Sequence, residues 1–182
     1  MKTYLLLLCL FLFFTDKSAA IEISGKAKTV PKAGFIELDG KKILLNGIQI
    51  ISQNATCQDI NGQWSCGAYA WKALKNKLNS GPVQCTVISD LQNPEGDPEM
   101  ANCTMKKENL SIWLVSRGWA LTNKETNEFL LSQENLASQN NAGIWRDGFN
   151  PPDLWRASFK KTSKHCNVCS IRRKSFLRKN SK

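Results

Sequence analysis

The sequence predicts an α+β domain, a five-stranded β-barrel with about three helices. Two observations carry this. Five short strand-like runs are bounded by turn residues, and three longer stretches, interposed between and trailing the strands, place apolar residues at helical spacing.

Residues 21–30 begin with alternating apolar and polar positions (Ile21, Ile23), and Pro31 and Gly34 bracket the turn that ends this first strand. Residues 35–38 and 43–48 form the second and third strands. Asp39-Gly40 joins them, a hairpin signal because both positions tolerate positive φ. Residues 53–64 are polar and contain glycine, so a loop is expected. Residues 66–78 put Ala70, Leu74 and Leu78 on one helical face, and Gly81-Pro82 stops the helix. Strands at 83–89 and 100–105 follow, separated by an acidic loop at 90–99. Residues 109–117 read as a short helix with Leu110, Trp113 and Leu114 inward, closed by Gly118. Residues 126–141 read as the last helix, with Phe129, Leu130 and Leu136 as its apolar stripe. No internal repeat is present. Beyond Trp155 the Lys/Ser/Asn/Arg composition is too polar to bury the surface that ordering requires, so disorder is expected there.

The first 20 residues have the layout of a secretory signal. Lys2 supplies positive charge, residues 4–14 are unbroken apolar, and Ser18-Ala19-Ala20 is a small-residue cleavage site. The apolar run is shorter than the ~20 residues of a spanning helix. The expectation is a secreted or periplasmic protein with no transmembrane segment after cleavage, a domain over residues 21–155 and a tail over 156–182. Cys9 lies inside the signal. The other six cysteines, Cys57, Cys66, Cys85, Cys103, Cys166 and Cys169, are an even set in an oxidising compartment, which favours disulfides. Cys85 and Cys103 lie on consecutive strand-like runs that a cross-strand bridge could join, and a Cys57–Cys66 bond would close the loop before the first helix. Sequence alone leaves the connectivity open.

Net charge is +10. Residues 21–155 hold 13 Lys+Arg against 14 Asp+Glu, whereas residues 156–182 hold 10 Lys+Arg and no acid. The excess therefore sits in the tail, with Lys160, Lys161, Lys164, Arg172, Arg173, Lys174, Arg178 and Lys179 as candidate polyanion-binding residues.

Several motifs together resemble the staphylococcal-nuclease (thermonuclease) family. They are Gly47-Ile48, Gln53…Cys57, Trp64-Ser65-Cys66-Gly67-Ala68-Tyr69-Ala70…Leu74, Val83-Gln84-Cys85 and Ala101-Asn102-Cys103. To these add Leu114-Val115-Ser116-Arg117-Gly118-Trp119-Ala120 and Gly143-Ile144-Trp145…Phe149…Pro152…Trp155-Arg156. The resemblance implies an OB-fold barrel and, in active members, a calcium ion held by two aspartates and a carbonyl. A glutamate there activates water and two arginines grip phosphate. Hard oxygens suit calcium, and arginine forks match phosphate.

Threading those roles onto this chain places Gly34 at the first calcium ligand, Leu44 at the first arginine and Gln49 at the second aspartate. The general base falls on Ser52, and the second arginine on Asp97 or Pro98 after Gly96. Ile50 replaces a threonine, and Lys32 would repel a cation. None of the catalytic set is kept. The expectation is a non-catalytic domain without cofactor or metal that binds an anionic polymer (nucleic acid or acidic polysaccharide) or an acidic protein surface. The alternatives are a calcium-dependent phosphodiesterase acting on DNA or RNA, with calcium as its cofactor, and an envelope or exopolysaccharide-associated structural protein.

Three further features bear on possible chemistry. Glu37 with Asp39, and Asp90, Glu95, Asp97 and Glu99, could form a displaced cation site, but a solvated hairpin tip and surface loop are expected. His165-Cys166-Asn167-Val168-Cys169 offers three metal ligands with no obvious fourth, so a disulfide or partner-linked thiol pair is the better reading. Trp119, Trp145 and Trp155 are expected to pack in the core, while Trp64 and Trp71, at the entry to the first helix, are expected to be more open. Sequons at Asn54, Asn102 and Asn109 are uninformative without the source.

Overall fold

Only Lys26 separates β1 (Glu22–Gly25) from β2 (Ala27–Val30), and this short link governs how the sheet closes. The computed structural model describes residues 21–88, 96–123 and 128–156. Along the chain follow β3 (Phe35–Leu38), β4 (Lys41–Leu45), β5 (Ile48–Ile50), β6 (Cys57–Asp59) and β7 (Gly62–Trp64). Next come α1 (Cys66–Leu78), β8 (Val83–Val87), β9 (Glu99–Met105), β10 (Glu108–Asn109), α2 (Leu110–Ser116), β11 (Ala120–Thr122) and α3 (Glu128–Gln139). Two 3₁₀ segments, Gly143–Gly148 and Asp153–Trp155, complete the described chain.

The main sheet runs β1-β8-β9-β4-β3-β2, with β10 appended to β9. Its pairs are antiparallel except β4 with β9. Since β1 and β2 stand at opposite edges of this order with one residue between them, the sheet must curl until those edges approach. Gly25 lies at that corner, where an added Cβ would already sit 3.6 Å from Leu38 Cδ1. The result is a mixed α+β architecture around a curled half-barrel.

Strand periodicity fills its interior. Ile36 and Leu38, Ile43 and Leu45, Val83, Cys85 and Val87, and Ala101, Cys103 and Met105 all point inward and are buried. The first helix, α1, adds Trp71, Leu74 and Leu78, and α2 adds Leu110, Trp113 and Leu114. Asn109 starts α2 by accepting the Ile112 N–H at 3.0 Å. A second cluster (Ile51, Cys57, Cys66, Ala70, Leu121, Ala137, Ile144 and Trp145) joins α1, α3 and the first 3₁₀ segment. No helix among the described residues is long and apolar enough to cross a membrane.

Several expectations need correction. The third strand is two strands, because Asn46-Gly47 turns the chain (Gly47 φ 78°) and β5 leaves the main sheet to pair with β11. The stretch 53–64 is not all loop: β6 and β7 pair across Ile60-Asn61, with Asn61 N–H on Asp59 Oδ1 at 2.8 Å. In α3 the buried stripe is Leu130, Glu134 and Ala137, whereas Phe129 and Leu136 are exposed. Trp71 is buried, not open, and its Nε1–H donates to Ile51 O at 2.9 Å. The pattern predicted apolar residues at helical spacing, but which of them face inward depends on what the helix packs against.

Candidate functional site

Gly34 closes the turn between β2 and β3, its N–H on Val30 O at 3.0 Å. Its φ of 78° lies in the left-handed region that glycine adopts without strain. The β3–β4 register runs from Leu38↔Lys41 to Ile36↔Ile43, so Gly34 lies two residues before the last pair and Leu44 one residue after it. Leu44 is half-buried on β4, opposite Met100 of β9. Gly34 and Leu44 both lie at the end of the β3–β4 pair away from the Asp39-Gly40 turn, and neither carries a charge.

The other positions lie on the segment that leaves this end. Gln49 sits on β5 between buried Ile48 and Ile50, and its Nε2–H donates to Ile50 O at 3.1 Å. Ile51 is buried as well. Its N–H donates to Trp119 O at 3.4 Å, while its carbonyl accepts Trp71 Nε1–H. Ser52 is exposed, and its carbonyl accepts Ala55 N–H at 2.9 Å. Gly67 of α1 packs so tightly here that an added Cβ would fall 1.8 Å from Ser52 O. Residues 49–52 therefore bolt β5 to α1 and to the α2–β11 connection. Burying Ile50 and Ile51 stabilises the fold by about 2 kcal/mol each, and their backbone atoms are already committed.

The loop carrying Asp97 is tied down by lysines. Lys42 Nζ donates to Gly96 O at 2.9 Å, and Lys41 pairs with Glu99 at 3.6 Å, while Asp97 itself is exposed. In the β3–β4 register Glu37 stands opposite Lys42. Asp90 and Glu95, the other members of the suggested cation cluster, lie outside the described residues. Among the described residues no three His, Cys, Asp or Glu side chains are grouped to hold a metal.

Among the described residues two disulfides are formed. Cys57–Cys66 staples the β6–β7 hairpin to the start of α1, and Cys85–Cys103 links directly opposed residues of β8 and β9, with Cα atoms 5.6 and 4.1 Å apart. Cys166, Cys169 and His165 lie outside the described residues, as do Lys160, Lys161, Lys164, Arg172, Arg173, Lys174, Arg178 and Lys179. Trp64 is half-buried rather than open. The Arg146 guanidinium lies 4.7 Å from its ring centroid, and Tyr69 meets it edge-on at 5.5 Å.

Sequence reasoning missed one polar network. Glu134 of α3 is 2% exposed. It accepts from Thr122 N–H and Oγ1–H at 2.5 and 2.8 Å, and from Arg156 Nη2–H at 2.6 Å. The first cation of the basic tail is thus held inside the domain. An acid placed four residues after Leu130 and three before Ala137, on one helical stripe, was the available signal.

Comparison of the chain with protein-family models and with curated proteins finds no match.

Proposed function

We propose that this protein is an exported, non-catalytic member of the nuclease-like class that binds an anionic polymer or partner through its surface and basic tail. One observation carries the reading. Threading the resembled enzymes' calcium ligands, base and arginines onto the sequence puts them at Gly34, Leu44, Gln49, Ser52 and Asp97 or Pro98, none of which is the residue the role needs, and residues 49–52 serve packing. The strand order supports the OB reading. With β1 and β2 as halves of one bent strand, the half-barrel has five strands and a single parallel pairing, between the third and the last. Two disulfides suit an oxidising compartment.

The ligand is drawn by charge, so affinity falls steeply with salt. Retention of the mature chain on duplex DNA, RNA and a sulfated polysaccharide across a salt gradient tests this. A second chain, with Lys160, Lys161, Lys164, Arg172, Arg173, Lys174, Arg178 and Lys179 changed to Gln, should elute at clearly lower salt. Equal retention of the two chains would remove the tail from the account. The change leaves Arg156 in place, because it belongs to the fold.

A further inference from the structure

The β3–β4 and β9–β10 hairpins share a turn geometry and differ in its chemistry. Leu38 pairs with Lys41 around Asp39 and Gly40, at φ 51° and 75°. Met105 pairs with Glu108 around Lys106 and Lys107, at φ 49° and 67°. Two consecutive positive-φ residues give the turn that matches strand twist, and Asn-Gly or Asp-Gly normally fill it. A lysine Cβ crowds the following carbonyl in this conformation, so two lysines are a poor choice for the turn itself. Both side chains are exposed, and among the described residues neither is paired with an acid.

Other cations stand beside this turn. Ser80 Oγ, just beyond α1, contacts Met105 Sδ at 3.4 Å, and an added Cβ at Gly81 would lie 3.6 Å from Lys106 Cε. Lys77 Nζ bonds the Glu108 carboxylate and lies 5.3 Å from the Trp113 ring centroid, and the Arg117 guanidinium lies 4.7 Å from the same ring. The C-terminal end of α1, the β9–β10 turn and the end of α2 therefore gather Lys77, Lys106, Lys107 and Arg117 on one face. Glu108 offsets only one of them. Residues 66–88 and 100–123 together hold six basic residues (Lys72, Lys75, Lys77, Lys106, Lys107, Arg117) against Glu108 alone. The near-zero charge of residues 21–155 thus conceals a local positive excess. Lysines near the end of α1 and Arg117 at the end of α2 also offset helix dipoles. Lys106 and Lys107 terminate no helix, so that explanation does not reach them.

We infer that the Lys106-Lys107 turn, with Arg117, is an anion-binding edge of the folded domain that takes an acidic polysaccharide. This rests on the polyanion reading above. Strained backbone kept at an exposed basic turn marks a place where function outweighs local stability. Trp113 is 9% exposed and flanked by two cations, so the face offers charge without an open stacking platform. Single-stranded nucleic acid is held largely by such stacking, whereas sulfates or carboxylates along a sugar chain need only placed cations.

The test compares the mature chain with its Lys106→Asn/Lys107→Gly variant on immobilised heparin, alongside thermal unfolding. The variant should melt a few degrees higher, since the turn is relieved, and yet elute at lower salt. Its log–log salt slope should be smaller by about one per lysine removed. A Lys106→Arg/Lys107→Arg variant should keep wild-type retention. Raised melting with unchanged elution overturns the inference and leaves the tail reading standing; a wild-type chain that ignores heparin but binds nucleic acid overturns the inference alone, and one that ignores heparin, DNA and RNA alike defeats both. A larger loss on duplex DNA than on heparin would reassign the edge to a phosphate backbone.

Discussion

Arg156 holds the most consequential polar contact in the domain, because its partner Glu134 has almost no access to water. With Arg156 removed, the Glu134 carboxylate keeps the Thr122 donors and loses its countercharge. Breaking a buried pair from one side is costly, because the remaining charge stays uncompensated. Arg156→Ala should therefore destabilise the mature chain by about 3 kcal/mol, read as a shift of the denaturant midpoint at constant slope. A shift under about 1 kcal/mol would show that Arg156 contributes no more than an exposed surface cation. Composition assigned Arg156 to the tail, since charge counting cannot see the acid that receives it. Glu134 was legible in principle. It lies on the stripe of Leu130 and Ala137, and an acid there must find a partner.

At the scale of elements, legibility tracked length and local chemistry. The 13-residue α1 and the five-residue β8 are long enough for their periods to show. The Asp39-Gly40 turn announces itself because those residues suit its φ values. Strand β11 has three residues, all buried, with no polar alternation to read, and exists because β5 pairs with it. The β6–β7 hairpin is too small to stand alone and is held by the Cys57–Cys66 bond. The Lys106-Lys107 turn was invisible for the opposite reason, since its residues argue against the conformation they adopt. The β8–β9 disulfide closes a sequence separation of 18. Cys85→Ser/Cys103→Ser should cost about 3 kcal/mol of stability, most of it through the freed unfolded chain. An unfolding free energy within about 1 kcal/mol of wild type would mean that the strand pairing holds β8 and β9 without the bond.

For the whole molecule, the candidate site was legible as a set of absences, and its physical content was not. The sequence shows that Gly34, Leu44, Gln49 and Ser52 lack the chemistry for calcium and phosphate. The packed structure adds that the segment 49–52 now anchors α1 and the α2–β11 connection, so single substitutions would have to rebuild a pocket inside a packed joint. Charge behaves in the same way. The near-zero sum over residues 21–155 hides the grouping of Lys77, Lys106, Lys107 and Arg117, which only the packing of α1, α2 and the β9–β10 turn brings together. Incubating the mature protein with plasmid DNA and with RNA, in calcium and in chelator, tests the central claim most directly. Both substrates should stay intact in both conditions, even with the protein in excess. Calcium-dependent degradation that stops on chelation would contradict it.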